Sequence, residues 1–258
     1  MNMPNSCTAT PTPERRQIHM REAIRALRRS ARRTLADLES RFLLDWIFIH
    51  INKTGGSSIE KALGLPFDHR SAREKIAAIG SDVWERKFSF SFVRNPWERL
   101  VSWYQYVQRT PLHEDCRPGE TFADFAARFL EKPRRAQWWM IEDRSGGMGL
   151  DFVGRFENLN DDIAYLCQRI GIKAQTLPHR NKMADKDYRT FYDDRLALAV
   201  KNNWTREIDA CIRGLFHSLM YCSYLAFISA AVMSSMRLEK PHSLSYQEQT
   251  LTSVPPMT

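Results

Sequence analysis

The chain has 258 residues, 43% of them hydrophobic and 26% charged, which excludes a wholly disordered polymer and is enough for one α/β domain with a closed core. Its 38 Lys and Arg outnumber its 30 Asp and Glu, giving a formal charge of +8 and favouring anionic partners: a nucleotide, an acidic glycan, nucleic acid or a membrane surface. The five cysteines are scattered and form no CxxC pair, so they read as reduced thiols, not as a disulfide framework or zinc site.

In chain order, the first residues are polar and proline-containing, without the apolar core of a signal peptide. From Glu14 to Arg41 the chain is rich in arginine, and Ile24, Leu27, Ala31, Leu35 and Leu38 recur at helical spacing. This is a basic amphipathic helix, for which packing on the domain, a membrane surface and organellar targeting all stand open. Residues 1–41 are therefore set apart as a basic leader and helix. Trp46 to Ile51 is short, apolar and β-branched, the pattern of a buried strand. A loop over Asn52–Gly56 follows, then a helix from Ser57 to Leu63 and another over 71–79. Phe alternates with Ser through Lys87–Val93, a second strand that stops at Arg94-Asn95-Pro96. Asn95 suits an N-cap and Pro96 the first helical position, so a helix is expected to Gln108.

Residues 111–150 read as a partly helical insertion, with loops at Arg117-Pro118-Gly119 and Ser145-Gly146-Gly147. Asp151–Phe156 reads as a third strand, and Asn160 as the cap of a helix with Asp161 and Asp162 in its first turn. Strands alternating with helices imply a parallel sheet covered on both faces. The expected fold is thus α/β, with a P-loop-like parallel sheet, a core domain over 42–210, an apolar helix over 211–236 and a disordered tail over 237–258. Within that helix, 215–233 carries no formal charge, and a buried or interfacial helix and a C-terminal membrane anchor both remain open.

Two segments carry chemistry. In Phe48–Glu60 a strand enters Asn52-Lys53-Thr54-Gly55-Gly56 and opens a helix at Ser57 and Ser58. Such a loop aims backbone amides at one point, the helix N-terminus adds partial positive charge, and Lys53 adds a full one. It is a phosphate cradle, but its glycines follow the lysine instead of preceding it, unlike a nucleotide-kinase loop. The second strand also ends in cationic Arg94, where a magnesium nucleotide site usually has an acid. In the second segment, Phe92–Tyr104, Arg94 leaves the strand end and Ser102 lies two turns into the next helix, a pair suited to a second phosphate.

Together, Lys53–Ser58 and Phe90–Tyr104 resemble the signatures of the PAPS-dependent sulfotransferases, in particular the carbohydrate-type sulfotransferase family 2. Gly154–Leu159 and Leu177–Lys182 look like further landmarks, and the resemblance covers roughly residues 45–208. It implies transfer of a sulfuryl group from 3′-phosphoadenosine 5′-phosphosulfate (PAPS), without a metal, to an acceptor hydroxyl on a glycan. It also implies that Lys53, Thr54, Gly55, Gly56, Ser57 and Ser58 hold the 5′-phosphosulfate, and that Arg94 and Ser102 hold the 3′-phosphate. Arg155 and the 179–182 loop would lie near nucleotide or acceptor.

A base near neutral pH favours histidine, and the resemblance, to a family that tends to carry a histidine between the two motifs, implies His69, beside Lys53 as the charge on the leaving oxygen. Glu60 and His50 are the alternatives, with His50 read as a core histidine. Trp138-Trp139 fits either sugar stacking or packing. A P-loop kinase or NTPase and a basic membrane- or nucleic-acid-binding module are the rival functions, although no nucleic-acid partner is expected. The protein is expected in the cytoplasm or on a membrane.

Overall fold

The computed structural model describes residues 13–173 and 187–212, so the expectations for 179–182, 215–233 and the tail lie outside the described residues. Helix α1 (Pro13–Leu38) runs into a π turn and then β1 (Trp46–Ile49). Helices α2 (Gly56–Leu63), α3 (Ala72–Ile79) and α4 (Ser81–Glu85) precede β2 (Phe88–Val93). Next come α5 (Pro96–Gln108), α6 (Phe122–Leu130) and α7 (Gln137–Ile141), then β3 (Phe152–Arg155) and α8 (Leu159–Arg169). Helices α9 (Asp194–Asn203) and α10 (Thr205–Ile212) complete the described fold.

Local chemistry accounts for the boundaries. Ser71 and Glu74 form a reciprocal capping box on α3. The Asn95 side chain accepts from the amides of Trp97 and Glu98, with Pro96 at the first position of α5, as the sequence implies. The helix expected to be capped by Asn160 starts two residues earlier, at Leu159, with Asn158 at the cap position and Asn160 in its first turn. Nearby, Asp162 accepts the Arg155 amide at 2.6 Å and ties α8 to the end of β3.

The three strands are parallel in the order β1-β2-β3, with Ile49 opposite Ser91 and Val93 opposite Arg155. Alternation along each strand divides the core. Trp46, Phe90, Phe92 and Phe152 pack with Ile59 of α2 and Ile163 and Leu166 of α8. Ile47, Ile49, Val93 and Val153 face the other way, towards α3, α5, α6, α7, α9 and α10. Helices therefore cover both faces. The serines of β2 are buried but satisfied: Ser91 donates to the Ile49 carbonyl at 2.7 Å, and Ser89 to Asp151 at 2.7 Å. Trp138 and Trp139 are half-buried against the larger core, which places them in its packing. No helix among the described residues is long and apolar enough to cross a membrane.

Gly154 lets β3 approach β2 closely, since a Cβ there would lie 2.5 Å from Phe92 Cε1. Gly154→Ala is expected to destabilise the protein by about 1–3 kcal/mol through overpacking, measured by denaturant unfolding. An unchanged midpoint would contradict this packing.

Candidate active site

Parallel strands end together, and the C-terminal edge of this sheet carries His50 to Lys53 after β1, Arg94 after β2 and Arg155 at the end of β3. The loop after β1 is held in a demanding shape. Lys53 has φ 69°, the one positive φ at a non-glycine position among the described residues, and Gly55 follows with φ 85°. A left-handed lysine costs on the order of 1–2 kcal/mol, so surrounding contacts must enforce it. Gly56 rests directly on an imidazole: a Cβ there would sit 2.0 Å from His50 Cδ2.

The enforcing contacts are arginines. Arg99 Nε donates to the Asn52 carbonyl at 3.0 Å and its Nη1 to the Arg135 carbonyl at 2.9 Å. Arg94 Nη1 reaches the Lys53 carbonyl at 3.4 Å. Every peptide bond among the described residues is trans, so pulling these two carbonyls one way turns the amides of Lys53 and Thr54 the other way. Further along, Gly55 caps α2 with no side-chain bond, and its carbonyl takes the amides of Ser58 and Ile59. A bound anion would thus meet the amides upstream of Ser58.

Arg94 is itself clamped. Gln137 accepts its amide and donates to its carbonyl, both at 2.8 Å, and the neighbouring Asn95 amide donates to Glu157 at 2.6 Å. Gln137 is held by Glu207, a buried carboxylate that accepts the amides of Gln137 and Trp138 at 2.5 and 3.1 Å. Burial pushes the Glu207 carboxyl up and pulls Arg99 down to about 10. The Arg94 guanidinium lies over the Phe156 ring, 4.2 Å from its centroid, and Nη2 meets Glu98 Oε1 at 2.5 Å. Its buried Nε has no hydrogen-bond partner among the described residues. Ser102 is buried on the same side of α5 as Glu98, one turn on. The Glu98 carboxylate occupies the Arg94 guanidinium, and a phosphate bound there must displace it.

Lys53 has no carboxylate partner among the described residues. Its ammonium sits 4.5 Å from the centre of the Tyr106 ring, and burial, with Arg94 and Arg109 nearby, lowers it to about 8. A Lys53 ammonium without an acid partner, beside an Arg94 whose Nη2 meets Glu98 but whose Nε is left unbonded, fits a polyanionic ligand. The Thr54 hydroxyl is fully buried and donates to the Ile51 carbonyl at 2.8 Å, so Thr54 can offer a ligand only its amide. Ser57 is exposed at the helix start and Ser58 buried. Arg155 is buried, with Nε 3.7 Å from Glu157.

Beside the loop, the His69 ring packs tilted against that of His50, with centroids 4.0 Å apart. Its Nδ1 lies 3.1 Å from the His50 carbonyl, which can only accept; Nδ1 therefore carries the proton and Nε2 is the acceptor of the ring. Burial, followed by His50, lowers His69 to about 4, and burial lowers His50 to about 3, so both rings are neutral at pH 7. His50 is a core residue, but its Nδ1 sits 2.7 Å from Glu60 Oε1 without hydrogen-bond alignment. Glu60 is buried and raised to about 7, chiefly by desolvation. The segment is anchored by Arg70, which pairs with Asp68 at 2.7 Å and with Asp37 of α1 at 2.6 Å, and by Lys75, 3.1 Å from Asp37.

The sulfotransferase family model matches residues 45–227, more than half of the chain. The chain belongs to the sulfotransferase family, within family 2. The match spans β1 to α10 and runs on into the apolar stretch after residue 210. The chain is also similar to an uncharacterized protein of Archaeoglobus fulgidus, 29% identical over 112 residues, which are 43% of this chain and 90% of that one. Within this sulfotransferase the sequence motifs pointed to Lys53 and Arg94 and contain Glu98 and Arg99, whose contacts only the fold reveals, whereas Gln137 and Tyr106 enter the site from outside both motifs.

Glu60 supplies a pH test. Its folded value near 7 lies above the ordinary 4.5, so its protonated form stabilises the native state fully below about 4.5, and that contribution is lost as pH rises through about 7. Glu60→Gln is therefore expected to gain stability over the parent between pH 5 and pH 8, by up to about 3 kcal/mol, read from melting temperatures. Parallel curves for the two proteins would count against a buried, proton-retaining Glu60.

Proposed function

We propose that this protein is a PAPS-dependent sulfotransferase that transfers the sulfuryl group to a hydroxyl of a carbohydrate acceptor. The observation that carries the reading is the Lys53 ammonium, which has no carboxylate partner among the described residues and lies near Arg94 and Arg109, beside a loop whose amides are turned outward. The amides of Lys53, Thr54, Gly55 and Gly56, with Ser57 and Ser58, hold the 5′-phosphosulfate. Arg94 and Ser102 hold the 3′-phosphate once Glu98 is displaced, and Arg155 borders the nucleotide. The carbohydrate acceptor follows from the family-2 motifs.

The chemistry is an in-line displacement at sulfur. The acceptor oxygen forms an S–O bond as the bond from sulfur to the phosphate oxygen breaks. The acceptor proton passes to His69 Nε2, and the electron pair leaves with adenosine 3′,5′-bisphosphate. Charge grows on the departing phosphate oxygen, where the Lys53 ammonium and the loop amides stabilise it. Burial keeps His69 unprotonated at pH 7 and so able to accept, but makes it a weak base whose protonated form must be stabilised by the anionic sulfuryl donor beside it. Lys53 must keep its proton.

Two results test the reading in a labelled sulfate-transfer assay. His69→Ala is expected to lower kcat on the order of 10²–10⁴-fold while leaving affinity for adenosine 3′,5′-bisphosphate unchanged. The kcat/KM profile for the donor is expected to fall below about pH 4, as His69 becomes charged, and above about pH 8, as Lys53 loses its proton. Transfer that survives Lys53→Ala, or a magnesium-dependent ATPase activity that Lys53→Ala abolishes, would overturn it.

A further inference from the structure

Helix α1 is attached to the domain by the side opposite to its apolar stripe. Ala36 of the helix and Ser40 of the π turn that continues it are buried, Asp37 pairs with Arg70 and Lys75, and Arg41 of the same turn donates to the Ala78 carbonyl at 2.7 Å. Ala36 and Ser40 lie on one face, with Asp37 beside them. Ile24, Leu27, Leu35 and Leu38 follow helical spacing on a second face, about half a turn away. That second face is open. Leu27 is 70% exposed, Leu35 50% and Leu38 49%, and the stripe continues into Phe42 and Leu43, at 74% and 75%. Arg28 and Arg32, both exposed, border it. Single exposed apolar side chains are ordinary, but an aligned run of this kind is a binding face.

The bordering charge selects the occupant. A second copy laid on this face would bring Arg28 and Arg32 towards their own counterparts, like charge against like. The uncharged segment 215–233 has no acid to meet them. A surface of anionic phospholipid satisfies both parts, taking the leucines among its acyl chains and the arginines among its phosphates. We propose that α1, with Phe42 and Leu43, lies on anionic membrane surfaces as an interfacial helix that does not span the bilayer. Asp37, on the docked face of the same helix, pairs with Arg70 next to His69, so the lipid plane is linked directly to the segment bearing the proposed base. The proposal stands apart from the transfer reaction, since its test needs neither donor nor acceptor.

The test is co-sedimentation of the full chain with vesicles of phosphatidylcholine, alone or with about one third phosphatidylglycerol. Binding is expected to be at least tenfold stronger to the anionic vesicles and to weaken as salt rises. The double variant Leu27→Asp, Leu35→Asp and the double variant Arg28→Glu, Arg32→Glu should each lose about tenfold or more while keeping the parent's circular dichroism and melting temperature. Four results would overturn the proposal: equal binding to both vesicles, undiminished binding by either double variant, binding lost only when 213–258 is removed, or a dimer in solution that the leucine variant breaks.

Discussion

Two carbonyl oxygens, those of Asn52 and Lys53, determine what this site can do. Each is bonded by an arginine from the unit that follows, Arg99 from α5 and Arg94 from the end of β2. Without them, a lysine at φ 69° would relax towards an ordinary conformation and its amide would turn away. The bonds convert a strand-to-helix turn into a set of outward amides beside an ammonium group. They also join the two sequence motifs physically, since the second motif holds the shape of the first.

Burying these arginines has a cost, and the fold meets it with partners outside both motifs. Glu207 on α10 lies buried behind Arg99 and secures Gln137, which fixes both backbone groups of Arg94. Opposite charges buried near each other add little net stability, yet removing one leaves the other uncompensated. Its value here is geometric. Lys53 is left without such a partner, and desolvation lowers its pKa to about 8, so a polyanion entering the site gains an interaction the empty protein lacks. Glu98 works in the opposite sense at Arg94, neutralising the guanidinium until a stronger anion arrives.

The sheet and its order of elements were legible because each strand is a short apolar run closed by a strong signal: Gly55-Gly56, or Asn95-Pro96. The cradle was legible for the same reason, its residues being contiguous in sequence. The contacts that make it work are not contiguous. Gln137 reaches Arg94 across 43 positions and Glu207 reaches Gln137 across 70, so no local pattern marks either. Thr54 shows the converse: it matches a phosphate-loop motif, but its hydroxyl closes a turn onto Ile51. In α1 the periodicity revealed two faces without telling which one docks. The ion pairs of Asp37 with Arg70 and Lys75 decided in favour of the polar side.

The amides of the loop are useful only while Arg99 holds the Asn52 carbonyl, and lysine keeps the charge without the planar fork whose Nε and Nη1 reach the Asn52 and Arg135 carbonyls. Titration calorimetry of adenosine 3′,5′-bisphosphate into the parent and into Arg99→Lys tests this most directly. The expected result is a loss of affinity of about tenfold or more in a variant that remains folded, although Arg99 has no role in touching the nucleotide. Equal affinity in the two proteins would contradict the account.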